Sequence, residues 1–541
     1  MANSASKKGG CLPNLSKQHE IVLFSSTAIA LYGYDQGRLR SLLENPCSGD
    51  IGMMSLVNTN VSYLQTMGIA KESPVVGIIV SVYYLGCAVG ALIASWVADR
   101  YGRRPSIFFC LATTSIGNIL MFISGLTFSG SSSWSGYAIA CMLTGRVVMG
   151  LGVGGIDSVI PVYSAELSSD GGRGKALAQE FQMNIFGLLM AYAINLGVTL
   201  GLGKGNQWAW RVPIVIMQIF PIALMSVITR LPESPRWLLS KEREEDAKTA
   251  LDKVYGDNDA SKDKLSDLKE ASENESDGEV KYQDMLLPSG SQFHPSIVTI
   301  MGQFNQALTG YGAVSVYGPQ IFQLLGTDTA TAEFLTLGNY ITYFLLMTIA
   351  WLTIDVLGRR KLMIWGAIGL ATSFALLAVF GALSQELSSI PSLAILIPGS
   401  VILYIATGIF GIGWLATVWL IPTEIYPSSA RAKGSAISVI IWGLANFTVT
   451  LLTPIGFNNL KYWLFLVFAF TNAIAGWWTW SFTPESGGRS FEENQEFFES
   501  AKDEGSWAVR KVDGGKFTRM PNAKDGETGQ HEESPLLGHY L

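Results

Sequence analysis

Charged residues are scarce in this sequence, and so are the residue pairs that build metal or redox sites. Asp, Glu, Lys and Arg make up only 15% of the 541 residues, against about 25% in a typical soluble protein. The four histidines lie outside the long apolar segments or at their edges, and the five cysteines include no Cys-x-x-Cys pair. These scarcities argue against a His/Cys metal site and against a Ser-His-Asp triad inside the apolar segments. We therefore expect no metal, no cofactor and no enzymatic activity.

Apolar segments, in contrast, are abundant. Hydrophobic residues make up 49% of the chain, and a helix crosses a bilayer with ~20 mostly apolar residues. Such segments predict an all-α membrane protein of twelve transmembrane helices. The predicted helices lie near residues 20–37, 75–97, 106–127, 135–160, 176–200, 209–230, 296–322, 334–356, 362–383, 393–421, 434–456 and 461–483.

The basic residues of the short loops predict the orientation of these helices. Loops 99–104 and 355–361 are rich in Lys and Arg, whereas the opposite loop 125–135 contains neither. Because basic loops stay in the cytoplasm, both termini and the long loop 231–295 are expected there. The net charge of −6 lies mostly in loops and tails and gives no indication of a nucleic-acid partner.

Internal repetition divides the chain into two halves. Three motifs recur at offsets of 256, 258 and 252 residues: Asp99-Arg-Tyr-Gly-Arg-Arg104 as Asp355-Val-Leu-Gly-Arg-Arg360, Glu166 as Glu424, and Pro232-Glu-Ser234 as Pro484-Glu-Ser486. Parallel repeats of this kind predict two homologous six-helix halves with a substrate site between them, near the bilayer midplane. The predicted divisions are an N-terminal tail (1–19), a first half (20–230), a linker (231–295), a second half (296–483) and a mostly disordered tail (484–541).

In their order and spacing, these motifs resemble the sugar-porter family of the major facilitator superfamily, in its fungal branch. Its further marks are Gly33-Tyr-Asp35-Gln-Gly37, Gly145-Arg146, Pro232-Glu-Ser-Pro-Arg236, Glu424-Ile-Tyr-Pro427 and Pro484–Arg489. The resemblance covers about residues 20–495. It implies the major facilitator fold and transport of a sugar, most simply a monosaccharide, by alternating access.

Arginines beside acidic helix ends form charge-assisted hydrogen bonds. The resemblance implies that such clusters lock the outward-facing state and break when the carrier opens inward. We therefore expect a cytoplasmic latch in each half. Its residues are Asp99, Arg103, Glu166, Arg173 and Glu233 in the first half, and Asp355, Arg359, Glu424, Arg431 and Glu485 in the second.

Asp35 and Arg146 are the ionisable residues expected deep inside predicted helices. A charge at bilayer depth is costly, so it is usually paired and functional. In the family that the sequence resembles, this helix-1 acid and helix-4 arginine face each other, and in proton symporters the acid is the proton site. The resemblance therefore implies proton-coupled transport. Because related facilitators also carry an acid here, a structural ion pair in a facilitative carrier is the alternative.

The sequence keeps only part of the family's hexose site. Gln306 and Gly310 match the helix-7 motif, whereas Ala307 and Gly312 replace its second Gln and its Asn. Trp419 aligns with the sugar-stacking Trp of helix 10. The resemblance thus implies a substrate site containing Gln306 and Trp419.

Other polar residues would have to substitute for the lost contacts, because the helix-5 Gln of the family aligns with Phe181. The candidate substitutes are Gln179, Gln182, Asn184, Tyr311 and Asn446, while Tyr317 keeps a later aromatic of the family's helix-7 motif. An eroded hexose site leaves three alternatives open. The substrate is a sugar bound differently, the protein is a facilitative carrier of a polyol, disaccharide or cyclic acid, or it is a sensor that binds sugar without carrying it. The short tail after Pro484 argues against the sensor.

Helix 1 is interrupted beside its key acid. Removing Arg38–Gly52 would restore an unbroken Gly37-Met53-Met54-Ser55, as in the family. We interpret this insert as a translated intron or another gene-model error, the alternative being a real external loop. Asn60-Val-Ser62 fits an N-glycosylation site in the predicted external loop. The expected protein is a plasma-membrane monomer whose partners are a sugar, H⁺ and the lipid bilayer.

Overall fold

The computed structural model describes residues 17–38, 61–69, 74–126, 135–167, 173–203, 205–255, 259–274, 280–316, 318–386 and 392–518. The predictions for Asn60, for Tyr317 and for residues 39–52 of the insert lie outside these residues. The side chains of Asp35 and Arg173 also lie outside the described part, although both residues belong to described helices.

Within the described part of the chain, all regular elements are helical. The first half contains α1 (Lys17–Arg38), α2 (Val61–Met67), α3 (Pro74–Tyr101), α4 (Arg103–Ile123), α5 (Ser135–Leu167), α6 (Arg173–Leu202) and α7 (Gln207–Ile228). The linker contains α8 (Pro235–Ser240), α9 (Glu244–Tyr255), α10 (Asp259–Asn274) and α11 (Tyr282–Leu286). The second half contains α12 (Phe293–Leu308), α13 (Tyr311–Val316), α14 (Gly318–Leu324), α15 (Thr329–Leu357), α16 (Arg359–Glu386), α17 (Ser392–Phe410), a π turn (Gly411–Leu415), α18 (Ala416–Ile425), α19 (Ser428–Leu460) and α20 (Trp463–Phe482). In the tail, α21 (Phe491–Asp503) precedes a 3₁₀ segment (Val512–Thr518).

These helices supply the twelve predicted membrane segments. Nine spans in the described part of the chain are long and apolar enough to cross a bilayer: α3 to α7, α15, α16, α17 with α18, and α19. The other three segments are α1, whose apolar part is short, the tryptophan-rich α20, and the broken run α12–α14. The break falls at Gly310, whose φ of +77° suits glycine.

Several helices extend further into the charged motifs than predicted. The second predicted membrane segment, α3, ends at Tyr101 rather than near residue 97. The fourth, α5, ends at Leu167 rather than near residue 160. The third predicted membrane segment, α4, begins at Arg103 rather than near residue 106. A criterion based on apolar runs stops at the first charged residue. Here those charged residues continue the helices because each has a partner, as shown below.

Small residues bring the helices of each half into close contact. A Cβ added to Gly90 of α3 would lie 2.1 Å from the carbonyl oxygen of Leu151 in α5, and one added to Gly33 of α1 would lie 1.8 Å from that of Asn184 in α6. Close backbone approach of this kind is typical of membrane helices. Between the halves, α3 packs against α19 and α6 packs against α15.

The tail differs from its prediction over residues 501–518, which are folded rather than disordered. Val509, Val512 and Phe517 are buried, and Trp507 stacks on His294 with ring centroids 4.5 Å apart. A capping box between Ser490 and Glu493 starts α21. The polar composition of this segment concealed the few apolar residues that anchor it against the second half.

We predict that Gly90→Ala destabilises the protein by about 1–3 kcal/mol, because the added methyl overpacks the contact between α3 and α5. Gly197→Ala in α6 is the matched control, since no atom lies within 4 Å of its added Cβ. The measurement is the Tm of the purified protein in detergent. Equal Tm values for the two variants would contradict the packing described here.

Candidate functional site

A cluster centred on Arg103 ties the first half together at the membrane face that carries α8–α11, here called the linker face. Arg103 Nε and Nη2 donate to the two carboxylate oxygens of Glu166, at 3.2 and 3.1 Å. Its Nη1 donates to Asp99 Oδ1 at 3.3 Å and to the Ala98 carbonyl at 3.0 Å. The guanidinium group is thereby buried with its charge compensated, as a buried ion requires.

Glu233 closes this cluster by binding the start of α4. Its carboxylate accepts from the backbone N–H of Arg103 at 2.9 Å and from that of Arg104, as anions do at helix N-termini. Gly102, with a φ of +105°, makes the turn that leads into this helix. Burial raises the pKa of Glu233 above its ordinary value, against the opposing effect of the backbone N–H groups that it binds.

The second half repeats this arrangement. Arg359 Nη2 donates to Glu424 at 2.7 Å and lies 3.0 Å from Asp355 Oδ1. Glu485 accepts from the backbone N–H of Arg359 at 2.9 Å, at the start of α16. Ser486 adds a hydrogen bond of 2.6 Å to the other oxygen of Glu424. Each half thus carries one buried arginine between two acids, with a third acid at the following helix N-terminus.

Two contacts and one electrostatic interaction join the two clusters across the interface between the halves. Asp355 Oδ2 accepts from the backbone N–H of Lys175 at 2.9 Å, and Lys433 Nζ lies 3.9 Å from Asp99 Oδ2. Arg431 acts electrostatically on Glu166, so it faces the cluster of the opposite half. The side chain of Arg173 lies outside the described residues, and its predicted role stays a prediction.

Between the halves, a cavity lies above these clusters. It contains about 490 Å³ of empty space, counted out to where it opens to solvent. The lining residues are Phe181, Asn184, Ile185, Gln306, Ala307, Tyr311, Gly312, Phe410, Leu415, Trp419, Trp442 and Asn446. Both halves contribute, as a site for alternating access requires.

Aromatic rings form much of the cavity wall, with five of the twelve lining residues. Trp419 lies between Phe181 at 5.7 Å and Trp442 at 6.0 Å between ring centroids. On the opposite side, Tyr311 stacks on Phe410 at 3.9 Å. A wall of this kind offers flat apolar faces to a substrate.

Three amide side chains supply the polar surface of the cavity. Gln306 Nε2 donates to the Trp414 carbonyl at 2.9 Å, which the π turn in the tenth membrane segment exposes. Asn446 Nδ2 donates to the Trp442 carbonyl at 2.9 Å, and Asn184 Nδ2 contacts the Ile29 carbonyl at 3.4 Å. Because the NH₂ groups are engaged with backbone carbonyls, the amide oxygens of these three lining residues remain as acceptors for a substrate.

The structure divides the predicted substrate residues into those that line the cavity and those that do not. Gln306, Trp419, Tyr311 and Asn446 line the cavity. Gln182 lies instead in the contact between α6 and α15, where it bonds the Phe344 carbonyl, Thr348 and Trp351. These bonds favour an interhelical role for Gln182. Gln179 does not line the cavity, and Tyr317 lies outside the described residues.

Sequence reasoning missed parts of the cavity wall and several deeply buried charges. Trp442 and Phe410 line the cavity, and the Trp442/Asn446 spacing of one helical turn could have indicated that both face the same way. Asp157, Glu180 and Arg211 are all buried in membrane helices. The expectation that Asp35 and Arg146 are the deep ionisable residues was therefore incomplete. The Arg146 guanidinium lies 5.0 Å from the centroid of the Tyr83 ring.

Comparison with known proteins identifies the family. The model of the family described as "Sugar (and other) transporter" matches residues 21–498. The chain belongs to this sugar transporter family. It is thus an integral membrane transporter and not an enzyme, as predicted.

Two relatives and one solved structure show how similar this chain is to known proteins. Sugar transporter STL1 of Saccharomyces cerevisiae is 30% identical over 505 residues, covering 90% of this chain and 83% of that protein. The D-xylose-proton symporter of Escherichia coli (strain K12) is 26% identical over 512 residues, covering 88% and 96%. The structure of the proton:xylose symporter XylE bound to 6-bromo-6-deoxy-D-glucose matches with a TM-score of 0.74 at 23% identity, covering 89% and 99%. This match confirms the predicted major facilitator fold.

We predict that Lys433→Glu favours opening of the linker face, because it places a second negative charge beside Asp99. Since a partly exposed ion pair contributes about 0.2–1 kcal/mol, the open fraction should rise by a factor of about 1.4 to 5. The measurement is labelling of a Ser435→Cys reporter, because Ser435 bonds the Ser158 carbonyl across the interface between the halves.

Lys361→Glu is the matched control, since this lysine is exposed at the same face and no ion pair is described for it. Equal labelling of the two variants would show that the cross-half contact does not hold the linker face closed.

Proposed function

We propose that this protein carries a neutral sugar or polyol across the membrane by alternating access, coupled to protons. The observation that carries the proposal is the cavity between the halves, with aromatic walls and three amide oxygens free to accept hydrogen bonds. Sugars present hydroxyl donors at their edges and C–H faces between them. Few polar groups in an otherwise apolar cleft are the usual composition of a small-molecule site.

The polarity of the cavity favours a neutral substrate over a cyclic acid. None of the twelve described lining residues carries a charge. A carboxylate substrate would lose its hydration without gaining a cationic partner there, which is costly. Hydroxyl groups, in contrast, can donate to the oxygens of Asn184, Gln306 and Asn446. Among the alternatives left open by the sequence, the neutral sugars and polyols therefore fit better than a cyclic acid.

Proton coupling is supported by the surroundings of Asp35. This residue lies in α1, which packs against α5, the helix of the buried Arg146. A buried arginine in a membrane helix needs an anionic partner. Relatives of the chain include a protein named as a D-xylose-proton symporter. We propose that protonation of Asp35 releases Arg146 and thereby links proton entry to substrate binding.

The linker face is proposed to be cytoplasmic. Its clusters and loops contain most of the basic residues near the membrane, including Arg100, Arg103 and Arg104, as the positive-inside rule requires. Both termini would then lie in the cytoplasm. We further propose that the protein lies in the plasma membrane. We also propose that it works as a monomer, because the described cavity is lined by both halves of one chain.

The two arginine clusters provide the bistable element of the cycle. The links between Asp99 and Lys433 and between Asp355 and Lys175 hold the linker face closed. At the opposite end of the cavity, the Tyr192 hydroxyl donates to the Glu333 carbonyl at 3.2 Å, between α6 and α15. In the proposed cycle, opening inward breaks the links at the linker face, while the Tyr192–Glu333 contact at the opposite end of the cavity persists.

We predict that Asn446→Leu raises the KM for the transported sugar about 2- to 12-fold, because it removes one hydrogen bond worth about 0.5–1.5 kcal/mol. Gln179→Leu is the matched control, since Gln179 does not line the cavity. Uptake of a labelled hexose, pentose, polyol, disaccharide and cyclic acid is measured in a transport-null host. Saturable uptake of the cyclic acid alone, or of no compound, would reject the proposal.

We predict that Asp35→Asn abolishes uphill accumulation and sensitivity to a protonophore, while exchange of substrate between the two sides continues. The neutral amide cannot release a proton, so the proton gradient no longer drives the cycle. Asp263→Asn, on an exposed linker helix, should behave like the unchanged protein. If uptake by the unchanged protein ignores the protonophore, the carrier is facilitative.

A further inference from the structure

We propose that Glu180 is a second proton-binding site, which takes up a proton when the linker face closes and releases it when that face opens. The proposal deepens the proposed function, on which its consequence for transport rests. It concerns a carboxyl group that neither the substrate cavity nor the two arginine clusters uses.

Glu180 is fully enclosed in the membrane domain. It lies on α6 with 0% of its surface exposed. One carboxyl oxygen, Oε1, accepts a hydrogen bond from the hydroxyl of Ser164 on α5. The other oxygen, Oε2, is buried without a hydrogen-bond partner among the described residues. A buried carboxyl with one free oxygen is an acceptor site for a proton.

The location of Glu180 connects the cavity with the linker face. It lies seven residues from the start of α6, or about 10 Å along the helix. The next residue, Phe181, is a wall of the cavity. Its partner Ser164 is two residues from Glu166, which binds Arg103 in the first-half cluster. Separation of the halves at the linker face would therefore admit water close to Glu180.

No cation of the neighbouring helices neutralises Glu180 in the described part of the chain. Arg211 on α7 bonds Gln207 and the Ser124 carbonyl, and Arg146 on α5 lies over Tyr83. The Ser164 hydroxyl is the hydrogen-bond partner described for the Glu180 carboxyl. The other acids on helices that pack against α6 are Glu20 and Asp35 on α1, Asp157 and Glu166 on α5, Glu333 and Asp355 on α15, and Glu424 on α18.

These surroundings determine the direction of the effect. A buried carboxylate without a counter-ion carries a large desolvation cost, so the closed conformation holds the neutral, protonated carboxyl. Water admitted by opening lowers that cost and lets the proton leave toward the linker side. A higher pH on that side therefore favours the open linker face. With one proton involved, the open-to-closed ratio changes by at most about tenfold per pH unit.

The first test is spectroscopic and requires no transport. Infrared difference spectra between the unchanged protein and Glu180→Gln, purified and reconstituted, should show the carbonyl band of a protonated carboxyl that the variant lacks. In Ser164→Ala, which keeps the carboxyl, that band should move to higher frequency because a hydrogen bond to it is lost. A difference spectrum without this band, or a band that Ser164→Ala leaves unmoved, would overturn the proposal.

The second test follows substrate exchange in proteoliposomes as a function of the pH on the linker side. Glu180→Gln should remove up to about tenfold of dependence per pH unit, while the exposed Glu386→Gln keeps it. Exchange whose pH profile is the same in Glu180→Gln and in the unchanged protein would refute the proton site and leave the sugar carrier standing. The infrared band without transport of any sugar would support the site and reject the proposed function.

Discussion

Burial of Arg103 and Arg359 at the linker ends of the helices is the constraint on which the rest of the structure depends. Each guanidinium group is almost fully enclosed, with exposures of 4% and 3%, and so needs carboxylates from several helices at once. Glu166 and Glu424 bring the ends of α5 and α18 to these arginines, while Glu233 and Glu485 fix the chain where each half ends. One charge thereby sets the relative positions of three elements. Breaking such a pair by removing one partner typically costs about 3–5 kcal/mol, so the clusters hold each half rigid.

The rigidity of the clusters explains how the halves can move as units. The arginine–glutamate contacts inside each half are buried, and the one between Arg103 and Glu166 is bidentate, whereas the charged contacts across the interface are few. The link between Lys433 and Asp99 spans 3.9 Å and is partly exposed, which makes it weak. The strong interactions therefore survive when the weak ones break. Alternating access needs this ordering of strengths, because a carrier whose halves deformed before they separated would not open on one side only.

The sequence predicted what depends on local pattern and missed what depends on helix rotation. The apolar runs predict the twelve membrane segments, and the repeated sequence motifs predict the two halves and their acid–arginine clusters. Gln179, Gln182 and Phe181 show the limit, since successive residues of a helix differ by about 100° in direction. If the residue predicted to face the cavity is wrong by one position, the true residue lies in the cavity wall and the predicted one lies in an interhelical contact. The folded tail was missed for a related reason, because its anchors at Val509, Val512 and Phe517 are dispersed in a polar segment.

The neighbourhood of Ser164 suggests why a proton site would lie where Glu180 does. The proposed coupling acid Asp35 is on α1, whereas the clusters that open lie at the linker face. Protonation of Asp35 alone does not explain how the linker face would open or close. Ser164 contacts Glu180 on one side and stands half a helical turn from Glu166 on the other. A change of charge at Glu180 would thus act on the same stretch of α5 that carries the Arg103 partner. Repulsion between two carboxylates on either side of this stretch would weaken the contacts of α5 with the second half, such as the Ser435–Ser158 hydrogen bond, when the proton leaves, and protonation would restore them.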